Sequence, residues 1–183
     1  MQASTKCTAK ESILYDRKLD DRKAIPELLL NDAGAYRKNG LAIVQKDSIV
    51  KLNIFYALAE RVVRYRVSFS ADATALFRSS LSDFGVYVDI PHQRVSMATN
   101  PATAMQVPFL QGNREYLIEI YHIYQQAKVR ITDLQTKKHA ELCATNDGTG
   151  GCGAGILQKG FSVGMQWDHY CFGLVSGTSF LVK

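Results

Sequence analysis

Hydrophobic and polar residues alternate with a period of two in the middle of the chain, between Arg114 and Glu141. From Glu115 onward, odd positions that include Glu115 and Glu119 alternate with apolar even positions that begin at Tyr116. An amphipathic helix would instead repeat its apolar residues three and four positions apart. The run is also rich in β-branched and aromatic residues, which strands favour. The pattern therefore predicts a long strand, with one face turned towards the interior.

A polar break at residues 125–128 leads into a second alternating run, in which Val129, Ile131 and Asp133 are separated by Arg130 and Thr132. Two alternating runs joined by a short polar break indicate an antiparallel hairpin. A neighbouring strand is predicted over residues 63–69. The residues expected to face the interior are Val63, Tyr65, Val67, Phe69, Tyr116, Ile118 and Ile120.

Shorter alternating runs continue this pattern on both sides. Residues 41–44 and 49–54 are separated by Asp47 and Ser48, which predicts a hairpin between them. Residues 86–90 and 95–98 predict another hairpin, and residues 13–16, 161–165 and 169–175 add further strands. Many short strands at near-regular spacing, with almost no helical pattern, favour an all-β, two-sheet antiparallel jelly-roll β-sandwich.

The 183 residues suit one domain with a sizeable core. We expect a loose N-terminal segment at 1–12 and a sandwich domain at 13–183, cut from a longer protein because the sequence stops within a strand-like pattern. The 22 Lys and Arg exceed the 17 Asp and Glu by a net charge of +5, but they are scattered. Neither a nucleic-acid partner nor a membrane-spanning segment is predicted.

The four cysteines form no CxxC pair, and no His stands at zinc-finger spacing, so no metal site is predicted. Cys143 and Cys152 flank a glycine-rich stretch and are able to cross-link its two stems. Buried free thiols are the favoured interpretation for Cys7, Cys143, Cys152 and Cys171. Asn146 and Asp147 leave structural calcium as an alternative, but two such side chains are few for that ion. No cofactor is expected.

Several short sequence segments resemble those of the concanavalin A-like lectin and glucanase jelly roll. They are Tyr15-Asp16, Tyr36 with Asn39-Gly40-Leu41, Val63–Phe69, Val86–Ile90, Glu115–Tyr124, and the glycine-rich run into Trp167, Tyr170 and Phe172-Gly173-Leu174. The resemblance covers residues 13–183. The chain is also similar to the jelly-roll modules that precede SGNH (GDSL-type) hydrolase domains in bacterial polysaccharide-degrading enzymes. This resemblance implies a secreted or periplasmic protein with a C-terminal catalytic domain in the same chain.

Catalytic motifs do not assemble in this sequence. The Glu-x-Asp-x-x-Glu pattern of the related glucanases is missing, since residues 119–124 read Glu-Ile-Tyr-His-Ile-Tyr. There is no Gly-x-Ser-x-Gly elbow and no P-loop lysine after the glycine-rich run. Cys171 and His169 could form a thiol–imidazole pair, but no third side chain that would orient the imidazole is evident. Pairing of Glu115 or Glu119 with Arg64 and Arg66 on a neighbouring strand is the simpler interpretation of these carboxylates.

Sugar binding is the function that the sequence supports. A pyranose presents an apolar face and a rim of hydroxyls, which aromatic rings and polar side chains can contact. The candidate contacts are Glu119, Tyr121, Tyr87, Trp167 and Tyr170. Each aromatic has core packing as its alternative role. The leading prediction is a non-catalytic accessory or carbohydrate-interaction module of a larger hydrolase or esterase. The alternative is a purely structural domain that orients a neighbouring catalytic domain, and an independent enzyme is disfavoured.

Overall fold

The computed structural model describes residues 28–30, 35–38, 41–45, 49–55, 60–79, 84–97, 100–123, 126–145, 167–177 and 179–182. Side chains are described within 43–45, 64–77, 86–97, 104–121 and 128–143, and at residues 177, 179 and 181. Every regular element among these residues is a strand, which confirms the all-β prediction. The strand predictions at residues 13–16 and 161–165, the glycine-rich stretch and the 1–12 segment lie outside the described residues.

The strands form two antiparallel sheets of seven strands each. The first, named here the β10 sheet, has the order β12-β11-β10-β5-β14-β3-β2. Its strands are β2 (Ala35–Lys38), β3 (Leu41–Gln45), β5 (Glu60–Phe69), β10 (Glu115–Ile123), β11 (Gln126–Asp133), β12 (His139–Thr145) and β14 (Ser179–Val182).

The second sheet, named here the β13 sheet, has the order β1-β4-β13-β6-β7-β8-β9. Its strands are β1 (Leu28–Leu30), β4 (Ile49–Phe55), β6 (Thr74–Ser79), β7 (Phe84–Asp89), β8 (Arg94–Met97), β9 (Asn100–Gln106) and β13 (Trp167–Ser176). Consecutive strands often belong to different sheets, as in β3 to β4, β5 to β6 and β13 to β14.

One hydrophobic core lies between the two sheets, because its buried residues come from both. Across the interface, the Tyr65 and Phe77 ring centroids are 5.3 Å apart, and Phe69 meets Phe77 edge-on at 6.3 Å. Tyr65, Val67 and Phe69 of β5 are buried, as are the even residues of β10 from 116 to 120. The predicted inward face is therefore confirmed for six residues, and the Val63 side chain lies outside the described residues.

The central hairpin is confirmed, with Ile118 opposite Ile131 and Ile120 opposite Val129. Its second strand begins at Gln126, so the predicted break at 125–128 is too long by three residues. These polar residues continue the ladder because backbone hydrogen bonds do not require apolar side chains. The β7–β8 hairpin is also confirmed, with Val88 opposite Val95.

The predicted hairpin between residues 41–44 and 49–54 is wrong. β3 pairs with β2 and β14 in the β10 sheet, whereas β4 pairs with β1 and β13 in the β13 sheet. Both runs are apolar enough to pair with any core strand, so alternation alone does not select the partner. The hairpin partner of β3 is β2, with Lys38 opposite Leu41. The intervening Asn39-Gly40 is a favoured two-residue hairpin sequence.

Candidate functional site

The outer face of the β10 sheet carries the first two predicted contacts, Glu119 and Tyr121. The even residues of β10 are buried in the core, so the odd residues lie on the opposite face. β5 flanks β10 on one side and β11 on the other, with β12 beyond β11. Side chains from four adjacent strands therefore share one surface.

Oppositely charged residues form a row across these four strands. Glu119 lies opposite Arg64 of β5 and Arg130 of β11, and Arg130 lies opposite Glu141 of β12. The Arg64 Nε donates to Glu119 Oε1 at 2.9 Å, and the Arg130 Nε donates to Glu141 Oε1 at 2.6 Å. Opposite charges on directly paired residues stabilise a sheet. We call Arg64, Glu119, Arg130 and Glu141 the charge row.

A second ion pair lies beside this row, between Arg66 Nη2 and Glu115 Oε2 at 2.6 Å. Together with the Arg64–Glu119 pair, it confirms the cross-strand pairing predicted for both carboxylates. As a whole residue, Glu119 is only 7% exposed although it is on an outward face, because its neighbours cover it. Its oxygens are therefore committed to protein partners, and Glu119 positions other groups more readily than it meets a ligand.

Tyr121 is the partly exposed aromatic residue of this surface. It lies opposite Lys128, whose Nζ is 5.9 Å from the ring centroid and 2.9 Å from Glu141 Oε2. Partial burial raises the pKa of the Tyr121 phenol, and a hydrogen bond to the Glu119 carboxylate raises it further. The phenol is therefore protonated at neutral pH and donates its hydrogen to Glu119, which fixes the orientation of the ring.

Glu141 holds the other end of the charge row in the ionised form. Hydrogen bonds from Lys128 and Arg130 lower the pKa of its carboxyl group. The same bond with Glu141 raises the pKa of Arg130. The Arg130 guanidinium group therefore stays charged beside Tyr121 at neutral pH.

The remaining predicted contacts belong to the other sheet. Tyr87 of β7 is partly buried on the outer face of the β13 sheet, since its neighbours Val86 and Val88 fill the core. Trp167 and Tyr170 lie in β13, and their side chains are outside the described residues. The structure thus groups Glu119 with Tyr121 and separates both from the other three.

Residues of the flanking strands were missed by sequence reasoning, namely Lys128, Arg130 and Glu141. Arg130 was recognised as an alternating polar position, but the alternation does not identify its neighbours. Only the register between β10, β11 and β12 brings these side chains to Tyr121. Lys128 was assigned to the polar break, so its place in the strand went unnoticed.

The free-thiol prediction is wrong for Cys143 of β12, which is disulfide-bonded, whereas the side chains of Cys7, Cys152 and Cys171 lie outside the described residues. Cysteine burial preference alone does not reveal whether a partner is near. Among the described residues, no group of three His, Cys, Asp or Glu side chains is arranged to hold a metal ion. The calcium alternative at Asn146 and Asp147 lies outside that part of the chain. No helix in the described ranges is long and apolar enough to cross a membrane.

Known structures share this architecture at low sequence identity. Lectin I from Ulex europaeus, in complex with the methyl glycoside of α-L-fucose, has a TM-score of 0.63 at 9% identity and covers 90% of this chain and 92% of its own. The CBM2 module of the evolved Dit of Lactobacillus casei BL23 phage J-1 has a TM-score of 0.58 at 12% identity and covers 90% of each chain. Peanut lectin with a 9mer peptide has a TM-score of 0.57 at 10% identity and covers 86% and 88%.

No protein-family model matches the chain. No curated protein sequence matches it either. The structural neighbours establish the fold as a lectin-type jelly-roll β-sandwich, as the sequence predicted. At identities this low they establish the fold alone, and a ligand has to be argued from the residues of this chain.

Proposed function

We propose that this protein is a non-catalytic carbohydrate-interaction module that binds glycan on the outer face of the β10 sheet. The observation that carries the proposal is the partly exposed Tyr121 ring, set between charged hydrogen-bonding side chains on an outward sheet face of a lectin-type fold. The neighbouring folds support this class of function, since one of them is a lectin with a bound glycoside.

The chemistry of the surface suits a sugar ring. A pyranose stacks its apolar C–H face on an aromatic ring and directs its hydroxyls outward, where donors and acceptors are needed. Tyr121 offers the ring, and the Lys128 ammonium and Arg130 guanidinium groups offer donors beside it. Glu119 supports the platform through its bonds to Tyr121 and Arg64. Affinity is expected to be weak, because a few contacts on an open surface must offset the immobilisation of the ligand.

The proposed context is an accessory module of a larger polysaccharide-degrading hydrolase or esterase of the SGNH (GDSL) type, in a bacterial secreted or periplasmic protein. The resemblance to modules that precede such catalytic domains motivates this part. The Cys143 disulfide supports an oxidising compartment, where disulfides persist.

A purely structural domain is the second candidate. The observation that favours it is the mutual pairing of charges on the outer face, where Glu115, Glu119 and Glu141 each bond to a cationic partner. These ion pairs satisfy the charged side chains without any ligand. A structural module would bind no glycan and would act only by fixing the position of a neighbouring domain.

Titration calorimetry with a panel of neutral and acidic glycans tests the proposal. We expect Tyr121→Ala to weaken binding by about 5- to 30-fold, the factor that corresponds to 1–2 kcal/mol. Tyr121→Phe keeps the ring and loses only the bond to Glu119, so it should retain most of the affinity. Tyr87→Ala is the matched control on the other sheet and should bind as the unmodified protein does.

Two results would overturn the proposal. Absence of binding across the panel would favour the structural domain. Unchanged affinity in Tyr121→Ala, together with a loss in Tyr87→Ala, would move the site to the outer face of the β13 sheet.

A further inference from the structure

The ionic side chains on the outer face of the β10 sheet are not equally accessible. Its described charged residues comprise four cations, Arg64, Arg66, Lys128 and Arg130, and three carboxylates. The four cationic side chains are 34–55% exposed, whereas Glu119, Glu115 and Glu141 are 10%, 31% and 33% exposed. At the Arg64–Glu119 and Arg66–Glu115 pairs an approaching ligand therefore meets nitrogen donors before carboxylate oxygens, whereas Lys128, Arg130 and Glu141 are about equally exposed.

This asymmetry follows from side-chain length and strand register. Arg and Lys have longer side chains than Glu, so their charged ends extend further from the sheet and cover the carboxylates that lie opposite. Arg64 leans onto Glu119 in this way, with the arginine 42% exposed and the carboxylate 10% exposed. Among the described residues of this surface the cations exceed the carboxylates by one, and the most exposed charged side chains are those of Arg64 and Arg66.

We propose that the ligand of this surface is an acidic polysaccharide, whose carboxylate or sulfate groups bind the exposed Arg66 and the partly exposed Lys128 while a sugar ring stacks on Tyr121. The inference rests on the proposed function, and it adds the chemical class of the glycan. Guanidinium and ammonium groups form charge-assisted hydrogen bonds with carboxylates and sulfates, which exceed bonds between neutral groups in strength. Lys128 lies close enough to Tyr121 for one ligand unit to contact both.

The test compares polygalacturonate with the same polymer after full methyl esterification, which keeps the sugar backbone and removes its charge. We expect polygalacturonate to bind more tightly. Its affinity should fall as salt rises from about 0.01 M to about 1 M, over which the screening length shortens from about 30 Å to about 3 Å. Binding of the esterified polymer should change little over the same range.

Substitutions then locate the charge that is responsible. Arg66→Gln and Lys128→Gln should each weaken polygalacturonate binding by about 1.5- to 5-fold, the range for a solvent-exposed charge pair. Both are safe for the fold, since Glu115 is partly solvated and Glu141 keeps Arg130. The matched control is Arg94→Gln on the β7–β8 hairpin of the other sheet, where the arginine is 45% exposed, and its affinity should not change.

The outcomes separate this inference from the proposed function. Equal, salt-independent binding of both polymers would overturn the acidic class and leave carbohydrate binding intact. Binding of neither, with no other glycan bound, would overturn both. A single-stranded DNA of similar charge that binds equally well would show a non-specific polyanion surface and would overturn the sugar-specific inference. A loss in Arg94→Gln alone would place the site elsewhere.

Discussion

At the scale of single residues, Asp133 is the most constrained ionisable group among the described side chains. It is the last residue of β11 and its side chain is fully buried. Its Oδ1 accepts the backbone N–H groups of Gln135 and Thr136 at 2.8 and 3.1 Å, and its Oδ2 accepts Arg114 Nη1 at 3.0 Å. The carboxylate thereby ties the β11–β12 turn to the segment that precedes β10.

Asp133→Asn should lower the free energy of unfolding by about 1.5–3 kcal/mol at neutral pH, the usual value of a hydrogen bond to a charged group. Burial alone would raise the pKa of Asp133, but its bonds from Thr136, Gln135 and Arg114 outweigh burial and lower the pKa below 3.8. The ionised group therefore adds stability above pH 3.8, and this contribution is lost as pH falls through the lower folded value.

Denaturant unfolding of both proteins between neutral and acidic pH checks this prediction. The difference between wild type and Asp133→Asn should shrink as the pH falls from 3.8 through the lower folded pKa, because below that folded value Asp133 is protonated in both states of the wild type. Asp89→Asn, in the more exposed β7–β8 hairpin, is the control and should show a smaller difference. A difference that is independent of pH would mean that the charge of Asp133 is not what stabilises the turn.

The sequence indicated part of this arrangement. Alternation grouped Asp133 with Val129 and Ile131, and all three are buried. It could not indicate why a carboxylate is tolerated there, since Arg114 is 19 positions away and meets it only through the β10–β11 register. The same limit applies to Tyr121, whose outward face was predicted while its neighbours Lys128 and Glu141 were not.

At the scale of elements, two crossings between the sheets pack against each other. The β5–β6 turn at 70–73 leads from the β10 sheet to the β13 sheet, and Gly177 joins β13 to β14 in the opposite direction. Ser70 and Ser179 connect them through a backbone N–H to carbonyl bond of 2.9 Å. Gly177 has φ of +102°, and an added Cβ would lie 2.3 Å from the carbonyl oxygen of Asp72.

Gly177→Ala should therefore destabilise the protein by more than about 1–3 kcal/mol, the usual cost of such a backbone conformation alone. The close approach to Asp72 adds to that cost. Gly177→Asn separates the two causes, because Asn tolerates positive φ better than Ala but also carries a Cβ. We expect both variants to lose stability in chemical denaturation, Gly177→Asn less than Gly177→Ala because its backbone strain is smaller. A variant within about 0.5 kcal/mol of wild type would show that the two crossings do not need this contact.

Strand pairing was predicted correctly within a sheet and wrongly where the chain crosses between the sheets. The β10–β11 hairpin was correct, because a short connection between strands of one sheet leaves adjacent pairing as the natural result. The connection between β3 and β4 is only one residue longer, yet both strands pair with other strands. The β3 and β4 sequences alternate much as a hairpin would, so no residue in them distinguishes a turn within a sheet from a crossing between sheets.

At the scale of the whole molecule, the two sheets share one core and should unfold together. Ile118 of β10 is fully buried in that core, which also contains Phe77, Val86 and Val88 of the β13 sheet. A cavity at Ile118 therefore removes contacts from a core that both sheets need. Ile118→Ala should lower the free energy of unfolding by about 2–5 kcal/mol, the range for a buried large-to-small substitution.

Two probes, one that reports on the β13 sheet and one that reports on all strands, test this expectation in the same protein. Trp167 is the single tryptophan and belongs to β13, so its fluorescence follows the β13 sheet, while far-UV circular dichroism follows all strands. Leu117→Ala, at a partly exposed position on the outer face of the same strand, is the control and should have a smaller effect. We expect Ile118→Ala to shift both transitions equally, because a shared core makes unfolding cooperative. A shift in the dichroism signal without one in Trp167 fluorescence would mean that the β13 sheet holds together without the β10 sheet.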